Sequence, residues 1–224
     1  MKSLAKSRQA GFTLVEIAIV LVIIGLLLGG VLKGQEMIEN AKIKNLANDM
    51  KGVAAAYYAY QDRYKAVPGD DAAASTRFVG AVNGGGNGTI TGLYDATVAP
   101  AAAAESNNFW QHTRMAGFLS GTATATVAVP PTHALGGFLG VQANVAAAST
   151  YGITGVVTCA GAVPWKIAQA LDILLDDGNS ATGNVRAGAA ATPATAVATS
   201  AVYGPAFVPT AANTSGQHTV CMKI

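Results

Sequence analysis

Gly11-Phe12-Thr13-Leu14-Val15-Glu16-Ile17-Ala18-Ile19-Val20 decides the fold of this chain. It puts one carboxylate, Glu16, into an otherwise apolar run that follows a leader carrying Lys2, Lys6 and Arg8 and no acid. A charged side chain at the centre of a membrane helix costs about 3 kcal/mol on insertion scales, and even near the edge it calls for a partner. Glu16 is therefore a functional residue by default.

Working outward, residues 12–32 contain no ionisable side chain except Glu16. At the helical rise they span about 31 Å, one hydrocarbon core. A secretory signal has a shorter apolar region followed by a small-residue cleavage site, whereas here the small residue, Gly11, precedes the run. Cleavage at that point leaves the helix on the product. The basic leader stays inside by the positive-inside rule, so the chain after Lys33 is expected to face outward.

The chain has 224 residues, is 51% hydrophobic and only 12% charged, which excludes a disordered protein and fits one globular head with appendages. Formal charge is +2 overall. Beyond the leader it becomes slightly negative, so a broad basic face for nucleic acid is excluded. Cys159 and Cys221 are the only cysteines, and both lie in the outward part. An oxidising compartment would pair them, adding about 4 kcal/mol by the chain-entropy model. No Cys-x-x-Cys and no second Cys/His pair accompanies them, which argues against a metal site.

Helical spacing continues past the membrane run: Ile43, Leu46, Met50, Val53, Tyr57, Tyr60 and Tyr64 recur at intervals of three and four. The first proline is Pro68. One helix over residues 12–64 is predicted, about 80 Å long. Gly25, Gly29, Gly30 and Gly34 interrupt it. Two readings stay open for them, close helix packing in lipid and a locally unwinding segment. Pro68-Gly69-Asp70-Asp71 reads as a turn. Beyond it, helices are predicted at residues 107–119, presenting Phe109, Trp110, Met115 and Phe118, and at 164–175, with Ile167, Leu171 and Leu174 on one face. Strands are predicted at residues 137–141, 151–159, 183–187 and 217–224. Residues 187–201 read as a loop, with an edge strand at 201–203.

The leader, the Gly11 and Phe12 junction and Glu16 resemble the class III signal of type IV prepilins and type II secretion pseudopilins. The likeness is specific over about the first 45 residues. It implies a fold and a life history. The fold is α+β: a long N-terminal helix, transmembrane in its first half and amphipathic in its second, packed on an antiparallel β-sheet head in a ladle. The segments would be a cleaved leader at 1–11, a membrane and filament-core helix at 12–33, its amphipathic continuation at 34–64 and a β-rich head with long loops at 65–224.

A prepilin peptidase/methyltransferase would cut after Gly11 and methylate the new amine of Phe12. Glu16 would meet the Phe12 amine of a neighbour, and Leu14, Val15, Ile17, Ile19, Leu21 and Ile24 would form the filament core. Partners would be other copies or mixed pilins and an inner-membrane assembly platform. The precursor would sit in the inner membrane with a periplasmic head, before entering an extracellular pilus or a periplasmic pseudopilus. Cys159 and Cys221 would bracket a C-terminal variable region. Gly25 fits the family pattern, but Lys33 stands near the position of its usual proline. Lys33 is expected to snorkel at the outer membrane boundary, with pairing between subunits as the alternative.

Other candidate chemistry is weaker. His112, His133 and His218 sit in no catalytic motif, and Gly84-Gly85-Gly86 lacks a phosphate-loop lysine and reads as a flexible turn. Tyr57, Tyr58, Tyr60 and Tyr64 read as core. Asp172, Asp176, Asp177 and Asn179 surround Gly178 at a helix end; they read as a solvated turn, with calcium as the alternative. That calcium, by resemblance to pseudopilins, is the only cofactor expected. Asn87-Gly88-Thr89 and Asn213-Thr214-Ser215 match the glycosylation acceptor pattern. The leading expectation is a non-enzymatic filament subunit of a pilus, with a secretion pseudopilin next. A single-span protein whose head binds a ligand or acts as an enzyme is the reading from another class.

Overall fold

The structure, a computed structural model, describes residues 14–96, 104–124, 128–144, 152–189, 203 and 217–224. Its order is α1 (Leu14–Tyr64), α2 (Ala74–Arg77), α3 (Glu105–Met115), β1 (Leu139–Asn144), β2 (Gly155–Pro164), α4 (Trp165–Leu175), β3 (Val185–Ala189) and β4 (Gln217–Lys223). The chain divides within α1 into two compact units, Met1–Ala41 and Lys42–Ile224.

In the first unit, α1 presents an 18-residue window of mean hydropathy 2.8 with none of it buried. Nothing lies within 4 Å of a Cβ built at Gly25, Gly29, Gly30 or Gly34. The chain's own packing does not require glycine there, and both readings of these positions stay open. Lys33 pairs with Glu36 at 2.7 Å, one turn along. Both are exposed, so the pair contributes under about 1 kcal/mol.

In the second unit the stripe on α1 meets the core. Leu46, Met50, Val53, Tyr57 and Tyr60 are buried, while Ile43 and Tyr64 are half-buried. Tyr58 is exposed, against the reading of all four tyrosines as core. It falls off the 3.6-residue stripe that Tyr57 and Tyr60 share.

The sheet is antiparallel in the order β1-β2-β4-β3. Alternation assigns its faces. Leu139 opposite Ala160, Val141 opposite Thr158, Ala160 opposite Val220 and Val220 opposite Ala187 share one face. Five of these, Leu139, Val141, Ala160, Ala187 and Val220, join Leu46, Met50, Phe109 and Leu171 in the main core. Val157, Cys159 and Cys221 point the other way and cluster with Tyr94 and Ile153. β2 is buried without a break from Val157 to Gly161, and the strand shows little of the polar alternation that marks a half-solvated sheet.

That explains the displaced strand boundaries. β2 runs on to Pro164, five residues past its predicted end, through a register shift between Ala160 and Val163. β1 and β3 each start two residues later than predicted, and β3 takes in Gly188 and Ala189 from the expected loop. Gly140 has no side chain because Tyr94 passes over it: a Cβ there would lie 1.7 Å from the Tyr94 carbonyl oxygen. The edge strand expected at 201–203 falls mostly outside the described residues, and Tyr203 is not in a strand.

Helix α3 starts two residues earlier than predicted and stops at Met115. Gly117 takes φ +77°, and the amides of Gly117 and Phe118 donate back to the Arg114 and Thr113 carbonyls. That is a Schellman stop, so Phe118 lies beyond the helix. In α4, Ile167 and Leu171 are buried but Leu174 is exposed, and Asp172 takes the inner position instead.

Candidate functional site

Glu16 lies in the first turn of α1, where the helix dipole favours a negative charge. Around it Leu14, Val15, Ile17 and Ile19 are all exposed in the single chain. Continuous exposed apolar surface of this length needs lipid or other helices to cover it. Gly11 and Phe12, the expected cleavage and methylation positions, fall outside the described residues.

Cys159 and Cys221 are direct partners in the β2–β4 register and form a disulfide across a sequence separation of 62. Both sulfurs belong to buried residues. The bond ties the last strand into the middle of the sheet, where β4 lies between β2 and β3.

The acidic corner brings three of its four predicted members together: ligand oxygens of Asp172, Asp176 and Asp177 lie within 4.8 Å of one another. Asp172 accepts from Tyr203 Oη at 2.8 Å and from the Gly178 amide at 3.3 Å. Asp176 Oδ2 accepts the amides of Asn184 and Val185. Asp177 takes the Asn179 amide at 2.8 Å and the Thr182 hydroxyl at 2.5 Å. Asn179 Oδ1 is bound to the Ala181 amide at 3.1 Å. Burial, with the neighbouring carboxylates, raises the pKa of Asp172 against the opposing hydrogen bonds from Tyr203 and Gly178. The corner has the oxygens for a hard cation, and it also has a complete job as a loop scaffold.

What sequence reasoning missed is the polar hub on α3, where nine of eleven residues are buried. Glu105 accepts the Gly85 amide at 2.7 Å and both the amide and hydroxyl of Thr91. Gln111 accepts the Val82 amide and donates to the Thr124 carbonyl, each at 2.8 Å. His112 Nδ1 accepts the Gly69 amide at 2.9 Å, which places its proton on Nε2, 2.7 Å from the Val82 carbonyl. Long loops are thus pinned by side chains instead of strands. The Gly84-Gly85-Gly86 turn packs closely: its three amides donate to the Asp71 carbonyl, Glu105 Oε1 and the Asp70 carbonyl, and a Cβ at Gly84 would lie 2.3 Å from the Gly69 carbonyl oxygen.

A second missed group is Tyr60, Asp71 and Arg77. The Tyr60 hydroxyl donates to Asp71 Oδ2 at 2.7 Å, and Arg77 pairs with the same buried carboxylate. Burial pushes the Asp71 carboxyl up, but hydrogen bonds from Tyr60, the Ala73 amide and Arg77, with the Arg77 charge, outweigh it and hold its pKa low. Asn87 Oδ1 accepts the amide and hydroxyl of Thr89, so this acceptor pattern is a closed turn. Residues 213–215 lie outside the described residues.

Burial lowers the pKa of His112, His133 and His218 alike. Below the unfolded value of about 6.5, an unfolded chain takes up protons that the folded head refuses. Stability is therefore full above that pH and falls as pH drops through it. Asp71, with its depressed pKa, adds a further loss only below about pH 4. The raised pKa of Asp172 works in the opposite direction on acidification. The urea midpoint of the full chain in detergent, read by tryptophan fluorescence, is expected to be flat above about pH 7 and to decline from there towards pH 5.

Residues 6–32 match the family model of the prokaryotic N-terminal methylation motif. No characterised protein and no solved structure gives a significant match to the chain. The motif implies a membrane-associated protein, and the structure joins it to an α+β architecture. The motif is the class III signal peptide of type IV pilins and pseudopilins, and it points to a structural protein.

Proposed function

We propose that the chain is the structural subunit of a type IV pilus-like filament. A membrane peptidase removes residues 1–11 after Gly11 and methylates Phe12, and Glu16 then pairs with the Phe12 amine of an adjoining subunit. Leu14, Val15, Ile17, Ile19, Leu21 and Ile24 exchange lipid for neighbouring helices. The observation that carries this reading is the methylation motif lying over the first part of α1, where an 18-residue apolar window is wholly exposed. A secretion pseudopilin shares both features and is the second reading. A single-span protein that never polymerises leaves Glu16 without its proposed role.

Mass spectrometry of the mature N-terminus in the native host tests the proposal first. The expected product begins at Phe12 with one added methyl group, and a chain that retains Met1 overturns it.

Calcium at Asp172, Asp176 and Asp177 is a subordinate proposal, resting on the acidic cluster alone. Calcium is expected to raise the thermal midpoint of the full chain saturably, and an Asp177→Asn variant to lose that response. An unchanged midpoint returns the corner to its role as a loop scaffold.

A further inference from the structure

Two outward helix faces of the second unit repeat one arrangement of charge and bulk. On α1, Lys51, Ala55, Tyr58 and Asp62 follow one another at intervals of four, three and four. On α4, Lys166, Ala170 and Ile173 follow at four and three, and Asp177 stands four further on, just past the helix end. Lys51, Ala55, Asp62, Lys166 and Asp177 are exposed and Ala170 is half-buried. Tyr58 is 55% exposed and Ile173 63%, large apolar surfaces for the outside of a head. Lys51 and Lys166 enter no ion pair among the described residues, and Asp62 has only an exposed pair with Lys65.

Intervals of four and three make a seam along which helices pack. Laid antiparallel with Ala55 opposite Ile173, the two seams bring Tyr58 over Ala170, Asp62 to Lys166 and Lys51 to Asp177. Each large side chain then meets an alanine and each charge meets its opposite. Lys51 also gains from the C-terminal end of α4, where the helix dipole is negative. Laid parallel, the seams set Lys51 against Lys166 and Asp62 against Asp177, which repels. Two of the four charges are already oriented: Asp177 accepts from the Asn179 amide and the Thr182 hydroxyl, and Lys166 Nζ lies 5.7 Å over the Trp165 ring. Side chains held in advance lose less freedom on docking.

We propose that α4 of one copy docks antiparallel on the outer face of α1 of the next, so that the partner at both faces is a second copy of this chain. The inference rests on the filament-subunit reading above and assigns the head surfaces that meet in it. Such a contact is heterologous: each copy gives α4 to one neighbour and its α1 face to another, and the series stays open as a filament requires. Pairing of like seams fails on other grounds. Two α1 seams laid antiparallel send their apolar first halves in opposite directions, which a shared membrane forbids. Two α4 seams close a two-fold dimer and end the series.

The test is cysteine cross-linking of the full chain in its native host, with copper phenanthroline as oxidant and non-reducing immunoblots of sheared filaments as readout. The native cysteines are buried in their own disulfide and do not interfere. The Ala55→Cys/Ile173→Cys chain is expected to give a ladder of multimers. Cells making the two single variants together should stop at dimers, and either single variant alone should stay monomeric. Charge reversal gives an arm without new cysteines. Asp62→Lys or Lys166→Asp alone is expected to lower sheared filament about threefold or more, and the two together to restore it. Filaments of the double-cysteine chain without a ladder, dimers from Ile173→Cys alone, or a double reversal no better than its singles would overturn the contact and leave the subunit reading standing. A wild-type chain that yields no filament overturns both.

Discussion

Replacing Glu16 by alanine is expected to reduce assembled filament more than about a hundredfold while the precursor still inserts, is processed and folds its head. Removing one partner of a buried ion pair costs about 3–5 kcal/mol, because the other charge stays behind unpaired. In the proposed filament that loss recurs at every subunit, here on the Phe12 amine of each neighbour. Insertion itself should not suffer, since alanine removes the one costly side chain from residues 12–32. Shearing filaments from cells and comparing the sheared and membrane pools by immunoblot separates the two effects. A Glu16→Gln variant keeps an acceptor and should fall between wild type and alanine. Normal filament yield from the alanine variant would remove Glu16 from the assembly mechanism.

The same physics explains why some of this molecule was legible and some was not. Glu16 stands out because a lone acid in an apolar run has no cheap structural explanation. The amphipathic half of α1 was legible because Leu46, Met50, Val53, Tyr57 and Tyr60 repeat at helical spacing and are buried as that spacing requires. Helix α3 gave a weaker signal. Glu105, Gln111 and His112 look like a solvated face, yet they are buried because loops far away in sequence need their hydrogen bonds. Gly69 is 43 positions from His112, and no local window holds both. Its stop was legible at Gly117 and was overrun by the apolar Phe118 and Leu119. β2 blurred for another reason: covered on both faces and built of Ala, Gly, Thr and Val, it lacks the alternation that fixes strand ends. Asp71 reads as part of a turn in the sequence, which it is, but its burial under Tyr60 and Arg77 depends on α1 and α2 meeting.

Removing the disulfide should produce the largest stability change in the head. Closing a loop of 62 residues restricts the unfolded chain by about 4 kcal/mol at room temperature in the entropic model. For a unit of this size that corresponds to a fall of about 8–16 °C in thermal midpoint. A Cys159→Ala/Cys221→Ala double variant is the cleaner test, since serine would place hydroxyls among Tyr94, Ile153 and Val157. The β2–β4 ladder keeps its backbone bonds in that variant, so the fold should survive in weakened form. Because β4 carries Cys221 and sits between β2 and β3, the loss should concentrate there. Hydrogen exchange at Val220 to Met222 should accelerate more than at Leu46 to Val53 on α1. Reducing the wild-type protein with dithiothreitol should reproduce both the midpoint and the exchange pattern. A double variant within about 1 kcal/mol of wild type would mean that the unfolded chain is already compact around this pair, and that β4 is held by its ladder and its packing alone.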